Sequence, residues 1–116
     1  MFPSGEWRGF WEAPVYGRRW MEPLSLHFDG GQIEGDGRDC IGPFTFDGSY
    51  TDAGEVRMVK QYLGKHSVLY EGRVSGEGAV VGLWFIPPLG SGPFALMPVV
   101  DVADLPILTV AEACPA

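Results

Sequence analysis

The 116-residue sequence predicts an all-β fold, a small antiparallel up-and-down barrel of seven or eight strands with a C-terminal tail packed on it. Three observations carry this expectation. Seventeen glycines and ten prolines break the chain so often that the longest stretch free of both is nine residues, Glu55 to Leu63. A helix of ordinary length needs roughly 10–12 residues without such breakers, so a helical bundle and a doubly wound α/β fold are excluded. Between the breakers, apolar residues alternate with period two, the pattern of strands joined by tight turns. Several segments carry apolar residues in both phases, Val56 and Met58 against Val59 and Leu63 for example. A one-faced sheet would be polar outside, so a closed interior with an outer cover fits better, the cover being the tail or a second subunit. A Greek-key sandwich is the alternative.

The elements follow in order. Glu6–Glu12 sets Trp7, Gly9 and Trp11 against Arg8 and Phe10. Arg18–Phe28 sets Trp20, Leu24, Leu26 and Phe28 in one phase, and Pro23, lacking a ladder donor, implies an edge, a bulge or a break. Asp29-Gly30-Gly31 is a turn into a short strand, Gln32–Gly35, followed by a polar loop over 36–40. Phe44–Tyr50 aligns Phe44, Phe46, Gly48 and Tyr50, and Thr51–Gly54 turns into Val56–Leu63. Gly64-Lys65 leads to His66–Glu71, Ser75–Gly78 to Ala79–Ile86, and Pro87-Pro88 to a last strand, Gly92–Val100. Loops of two to five residues favour a meander within one domain spanning 1–116. Residues 101–116 are expected to cover the barrel.

Eight Lys plus Arg against fifteen Asp plus Glu give a formal charge of −7. That balance argues against nucleic acid and against an anionic membrane surface, which need a basic footprint. The first residues, Met1-Phe2-Pro3-Ser4-Gly5, carry no secretory pattern, and the expected location is cytoplasmic with reduced thiols. A Cys40–Cys114 bond anchoring the tail is the competing reading, since the spacing matches neither a metal nor a redox motif.

The opening Gly5-Glu6-Trp7-Arg8-Gly9 resembles the Gly-x-Trp start of the calycins, which include lipocalins, fatty-acid-binding proteins and avidins. The succession Phe46-Asp47-Gly48-Ser49-Tyr50, Lys60-Gln61-Tyr62, Val68-Leu69-Tyr70-Glu71-Gly72 and Gly82-Leu83-Trp84 is similar to their hairpin order. The likeness covers about residues 5–97 at the level of architecture. It implies a barrel whose mouth or interior holds a small apolar molecule, and no ligand-contacting residue is carried over from it.

Catalytic constellations are sparse. There are two histidines, His27 and His66, and no nucleophile elbow. Glu34, Asp36 and Asp39, with His27 and Cys40 nearby, match no metal spacing and read as a solvated acidic loop. No metal and no cofactor is expected.

Lys60, Tyr62, His66 and Tyr70 form the densest polar-aromatic set. A hairpin through Gly64-Lys65 that opposes Leu63 and His66 pairs Tyr62 with Ser67 and Lys60 with Leu69. That register puts His66 and Tyr70 on the other face, and a slip of one residue reunites all four. Inward, Lys60 and Tyr62 would orient a ligand. In the competing reading Tyr62 caps the barrel and Lys60 snorkels outward.

Trp7 and Trp84 are expected to plug one end. Trp11, Tyr16 and Trp20 would line the open mouth, with Arg18 nearby to attract an anionic group. The ligand-binding set is therefore Trp11, Tyr16, Arg18, Trp20, Lys60 and Tyr62. It points to non-catalytic binding of a small hydrophobic or amphipathic ligand. A solid-cored interaction module, such as a homodimer, competes with it, and an acid–base enzyme using Lys60, Tyr62 or His66 is the third reading. A cavity of about 300 Å³ or more favours the first, and close-packed Trp and Phe count against it.

Overall fold

A computed structural model describes residues 2–99 as eight antiparallel strands closed into a barrel, with no helix among the described residues. The strands are β1 (Gly5–Ala13), β2 (Gly17–Asp29), β3 (Gln32–Arg38), β4 (Pro43–Tyr50), β5 (Glu55–Tyr62), β6 (Ser67–Val74), β7 (Val80–Ile86) and β8 (Gly90–Pro98). Each pairs with its sequence neighbours, and β8 closes on β1 from Trp7↔Pro98 to Trp11↔Phe94. The up-and-down barrel expected from the breaker spacing is therefore the observed fold. The covering tail and the pairing of Cys114 fall outside the described residues; Cys40 is exposed.

Eight strands make an interior just wide enough for side chains to fill. Strict alternation supplies them: in β5 Val56, Met58, Lys60 and Tyr62 are buried while Glu55, Arg57, Val59 and Gln61 are exposed. Inward positions also hold the glycines that let the wall bend. At Gly48 and Gly82 an added Cβ would run into the backbone carbonyls of Arg57 and Glu71 on the neighbouring strands, so no side chain fits.

The end at the start of β1 is sealed. Phe2 stacks on Phe28 at 4.9 Å and meets Tyr50 edge-on at 5.6 Å, while Trp7 lies 5.4 Å from Phe28. The Trp7 indole donates to the Pro3 carbonyl at 2.8 Å, and the Phe28 amide donates to Ser4 Oγ at 2.9 Å, fixing the entering segment across that end.

Three sequence expectations need correction. In β2 the inward phase changes between Met21 and Leu24, because one extra residue sits opposite the Trp7–Gly9 step of β1. This is the bulge that Pro23 allowed, and it turns Trp20 outward while Met21, Leu24 and Leu26 point in. Strand β3 continues to Arg38, beyond the expected Gly35, because Asp36 pairs with both Ser25 and Thr45. The β5–β6 register is Met58↔Tyr70, Lys60↔Val68 and Gln61↔Ser67, one residue from the first count. The slip that reunites the polar-aromatic set is the register adopted.

Candidate functional site: an aromatic mouth above a buried ion pair

Four loops surround the end opposite the aromatic seal: 14–16, 39–42, 63–66 and 87–89. Between them lies a depression of about 230 Å³, walled by Trp11, Tyr16, Tyr62, Tyr70 and Trp84 with Ile41, Val68, Ile86, Ala13 and His66. It falls short of the roughly 300 Å³ at which pockets for drug-sized ligands begin. Below it the interior is close-packed: Phe44 meets Phe46 at 5.4 Å, Phe46 meets Tyr70 at 5.2 Å, and Tyr70 meets Phe94 at 4.6 Å. The cavity is thus confined to the mouth.

Beneath the floor is a buried ion pair. Lys60 Nζ donates to Asp39 Oδ2 at 2.6 Å, and both side chains are fully removed from solvent. The same oxygen accepts from Tyr62 Oη at 2.7 Å and Trp11 Nε1 at 3.0 Å, while Oδ1 accepts from the Ile41 amide at 2.9 Å. Asp39 therefore ties β1 and β5 to the β3–β4 loop and satisfies its own carboxylate completely. The ammonium also lies 3.3 Å from Tyr70 Oη and 3.4 Å from Met21 Sδ. The Phe44 and Tyr62 rings flank it at 4.3 and 4.7 Å from their centroids, a cation–π arrangement.

Electrostatics follow from this enclosure. Burial brings the Lys60 ammonium down from 10.5 to about 8, and the charge and hydrogen bond of Asp39 keep it from falling further. Burial pushes the Asp39 carboxyl up, but the Lys60 charge and the bonds from Lys60, Tyr62 and Ile41 outweigh it, leaving it below its ordinary value. Burial raises both tyrosines, with the Asp39 charge adding to the effect, so Tyr62 and Tyr70 stay neutral phenols.

Of the six expected ligand-binding residues, Trp11, Tyr16 and Tyr62 form the wall of the mouth and Lys60 lies under its floor. Lys60 does not snorkel outward. Trp20 and Arg18 lie on the outer wall instead: Trp20 packs on Phe10 at 5.3 Å, and the Arg18 guanidinium sits 3.8 Å over Phe10 and pairs with Glu12. The bulge at Pro23 is the reason for the first, since it reverses which residues upstream face inward. Trp84 does not share an end with Trp7. It borders the mouth, and its indole donates to the Glu12 carbonyl at 2.9 Å.

Asp39, expected from its polar neighbours in a solvated acidic loop, is instead buried at the centre of the site. The signal was present: extending the alternation Ile33, Gly35, Gly37 by one step puts Asp39 inward. Among the described residues no group of three or more His, Cys, Asp or Glu could hold a metal ion.

Fold and site define a small closed antiparallel barrel with one sealed end and one apolar, aromatic mouth. No family model matches the chain, and no curated protein matches it.

Proposed function

We propose that the barrel binds a small hydrophobic or amphipathic ligand in its mouth, without catalysing a reaction. The observation that carries this reading is the apolar depression walled by Trp11, Tyr16, Tyr62, Tyr70 and Trp84 above a close-packed core. Its volume of about 230 Å³ suits a single ring with a short substituent or a short chain rather than a long lipid. Burying such a ligand against aromatic walls gains roughly 25 cal/mol per Å² of apolar surface, enough for micromolar to millimolar binding after association costs. The architecture-level likeness to calycins supports the same use of a barrel mouth.

Native mass spectrometry of the protein from its source tests the reading. A retained small organic molecule, lost when Val68→Trp fills the mouth, is the expected result. A ligand-free wild-type spectrum, together with no uptake from a panel of small aromatic compounds, overturns it.

A second reading draws on the outer wall, where Val59, Val81 and Leu83 are 45%, 43% and 46% exposed. These residues favour an interaction or homodimer module. Sedimentation decides this point: a strictly monomeric profile at high micromolar concentration removes that reading, and a dimer that dissociates in Leu83→Glu supports it.

A further inference from the structure

We propose that the mouth end of the barrel docks on an anionic lipid bilayer, with its hairpin tips entering the interface and nearby basic residues meeting the headgroups. The inference stands apart from the ligand-binding reading and starts from where the exposed apolar residues lie. Among the described residues, the three most exposed large hydrophobic side chains are Val15, Leu89 and Leu63, at 93%, 83% and 56%. They sit on three of the four loops at the mouth, 14–16, 87–89 and 63–66, and Tyr16 beside Val15 is exposed as well. Hairpin turns ordinarily carry Gly, Asn, Asp or Ser, because a tip projecting into water gains nothing from a large apolar side chain. The turns at the sealed end obey that rule: Gly30-Gly31, Thr51–Gly54 and Ser75–Ala79 hold no large apolar residue. One chain therefore uses two turn chemistries, and they divide the barrel end from end.

Charge divides it the same way. The formal charge of −7 argues against an anionic surface only if it is evenly spread. Within three residues of the mouth loops the bases are Arg18, Arg19, Arg38, Lys60 and Lys65, and the acids are Glu12, Asp36 and Asp39. Lys60 and Asp39 neutralise each other out of water, and Glu12 is held by Arg18. Arg19, Arg38 and Lys65 are exposed. Within the same distance of the sealed-end turns, Asp29, Glu34, Asp52, Glu55 and Glu77 stand against Arg57 and Arg73. A field of that shape turns the mouth toward a negative surface and the acidic end away from it.

A bilayer fits this pattern better than a folded partner does. The tips come from separate hairpins with the depression between them, so a rigid surface would have to match each tip and fill the centre. Headgroups and acyl chains conform to such a rim. Aliphatic tips, a tyrosine beside one of them and nearby Lys and Arg are the ingredients of an interfacial anchor. Its strength follows the apolar area buried plus the attraction to anionic lipid. Docking in this orientation points the mouth at the bilayer.

Co-sedimentation of the full-length protein with phosphatidylcholine vesicles containing about 30% phosphatidylglycerol tests the proposal. Saturable binding is expected, weakened about ten-fold on phosphatidylcholine alone. Val15→Asp and Leu89→Asp should each weaken it about five-fold or more, and Lys65→Glu by a similar factor. Val81→Asp, on the outer wall, should leave it unchanged. All four side chains are exposed, so the variants are expected to keep the wild-type urea midpoint. Val15 and Leu89 do not line the depression, so their variants should also keep wild-type benzyl alcohol binding, read by tryptophan fluorescence.

No vesicle binding at millimolar lipid overturns the proposal, as does binding that Val15→Asp and Leu89→Asp leave unchanged or that Val81→Asp weakens equally. A dimer that Leu89→Asp dissociates, without vesicle binding, also overturns it and assigns the tips to a second copy. Vesicle binding without benzyl alcohol binding removes the ligand-binding mouth alone and leaves the docking surface standing.

Discussion

Replacing Asp39 by alanine strikes the joint on which the mouth is built. The substitution leaves the Lys60 ammonium buried without its counter-charge and removes the acceptor used by Trp11, Tyr62 and the Ile41 amide. Breaking a buried ion pair by removing one partner costs about 3–5 kcal/mol. Three donors left unpaired would each add about 1–3 kcal/mol if left dry, but Tyr62 and Trp11 border the open mouth, where water can replace the carboxylate. Deprotonation of Lys60 limits the loss from the other side. A net destabilisation of about 4 kcal/mol at neutral pH follows, out of the roughly 5–15 kcal/mol such domains possess. Urea unfolding followed by tryptophan fluorescence reads it directly.

The same experiment at about pH 9.5 sharpens the test. Lys60 titrates near 8, so the wild type has by then lost most of its ion pair. The Asp39→Ala deficit should shrink to roughly half, the hydrogen bonds alone remaining. A deficit under about 1 kcal/mol at neutral pH, or one equal at both pH values, would refute the reasoning.

Four other outcomes follow from the same geometry. Lys60 holds its proton more weakly folded than unfolded, with about 8 against 10.5, so the unfolded chain binds more protons between those values and stability rises with pH. The rise amounts to about 3 kcal/mol, ends near pH 10 where unfolded tyrosines ionise and the buried Tyr62 and Tyr70 do not, and is absent in Lys60→Met. Gly48→Ala should cost about 3 kcal/mol or more in urea unfolding, because its Cβ meets the Arg57 carbonyl of the paired strand; a neutral effect would contradict the close approach. Val68→Trp should fill the mouth and weaken benzyl alcohol binding about ten-fold or more, at a cost of about 1–3 kcal/mol in stability because Val68 is buried. Trp20→Ala, on the outer wall, should leave that binding unchanged in the same titration.

The fold was legible because its determinants are local. Breaker spacing limits element length, and alternation in segments such as Val56–Tyr62 assigns faces without knowledge of partners. What escaped depends on single-residue offsets. The bulge opposite Trp7–Gly9 reverses the faces of Trp20 and Met21, and nothing local distinguishes a Pro23 bulge from an edge. The β5–β6 register likewise turns on one residue in the Gly64 turn, and it decides whether Tyr70 joins Lys60 and Tyr62. Asp39 was hidden differently. Its neighbours Asp36, Arg38 and Cys40 are polar and exposed, so composition pointed to solvent while phase pointed inward. A buried carboxylate is tolerated only with a full set of donors, and three of those come from two distant segments, β1 and β5, that no local window contains.

The central claim is that the barrel mouth is a binding site, and amide and indole chemical shifts during a benzyl alcohol titration test it most directly. The account predicts saturable shifts confined to Trp11, Tyr16, Ile41, Tyr62, Val68 and Trp84, with the sealed end around Phe2 and Phe28 silent. Shifts that fail to saturate, or that cluster on the outer wall around Val59, Val81 and Leu83, would contradict it.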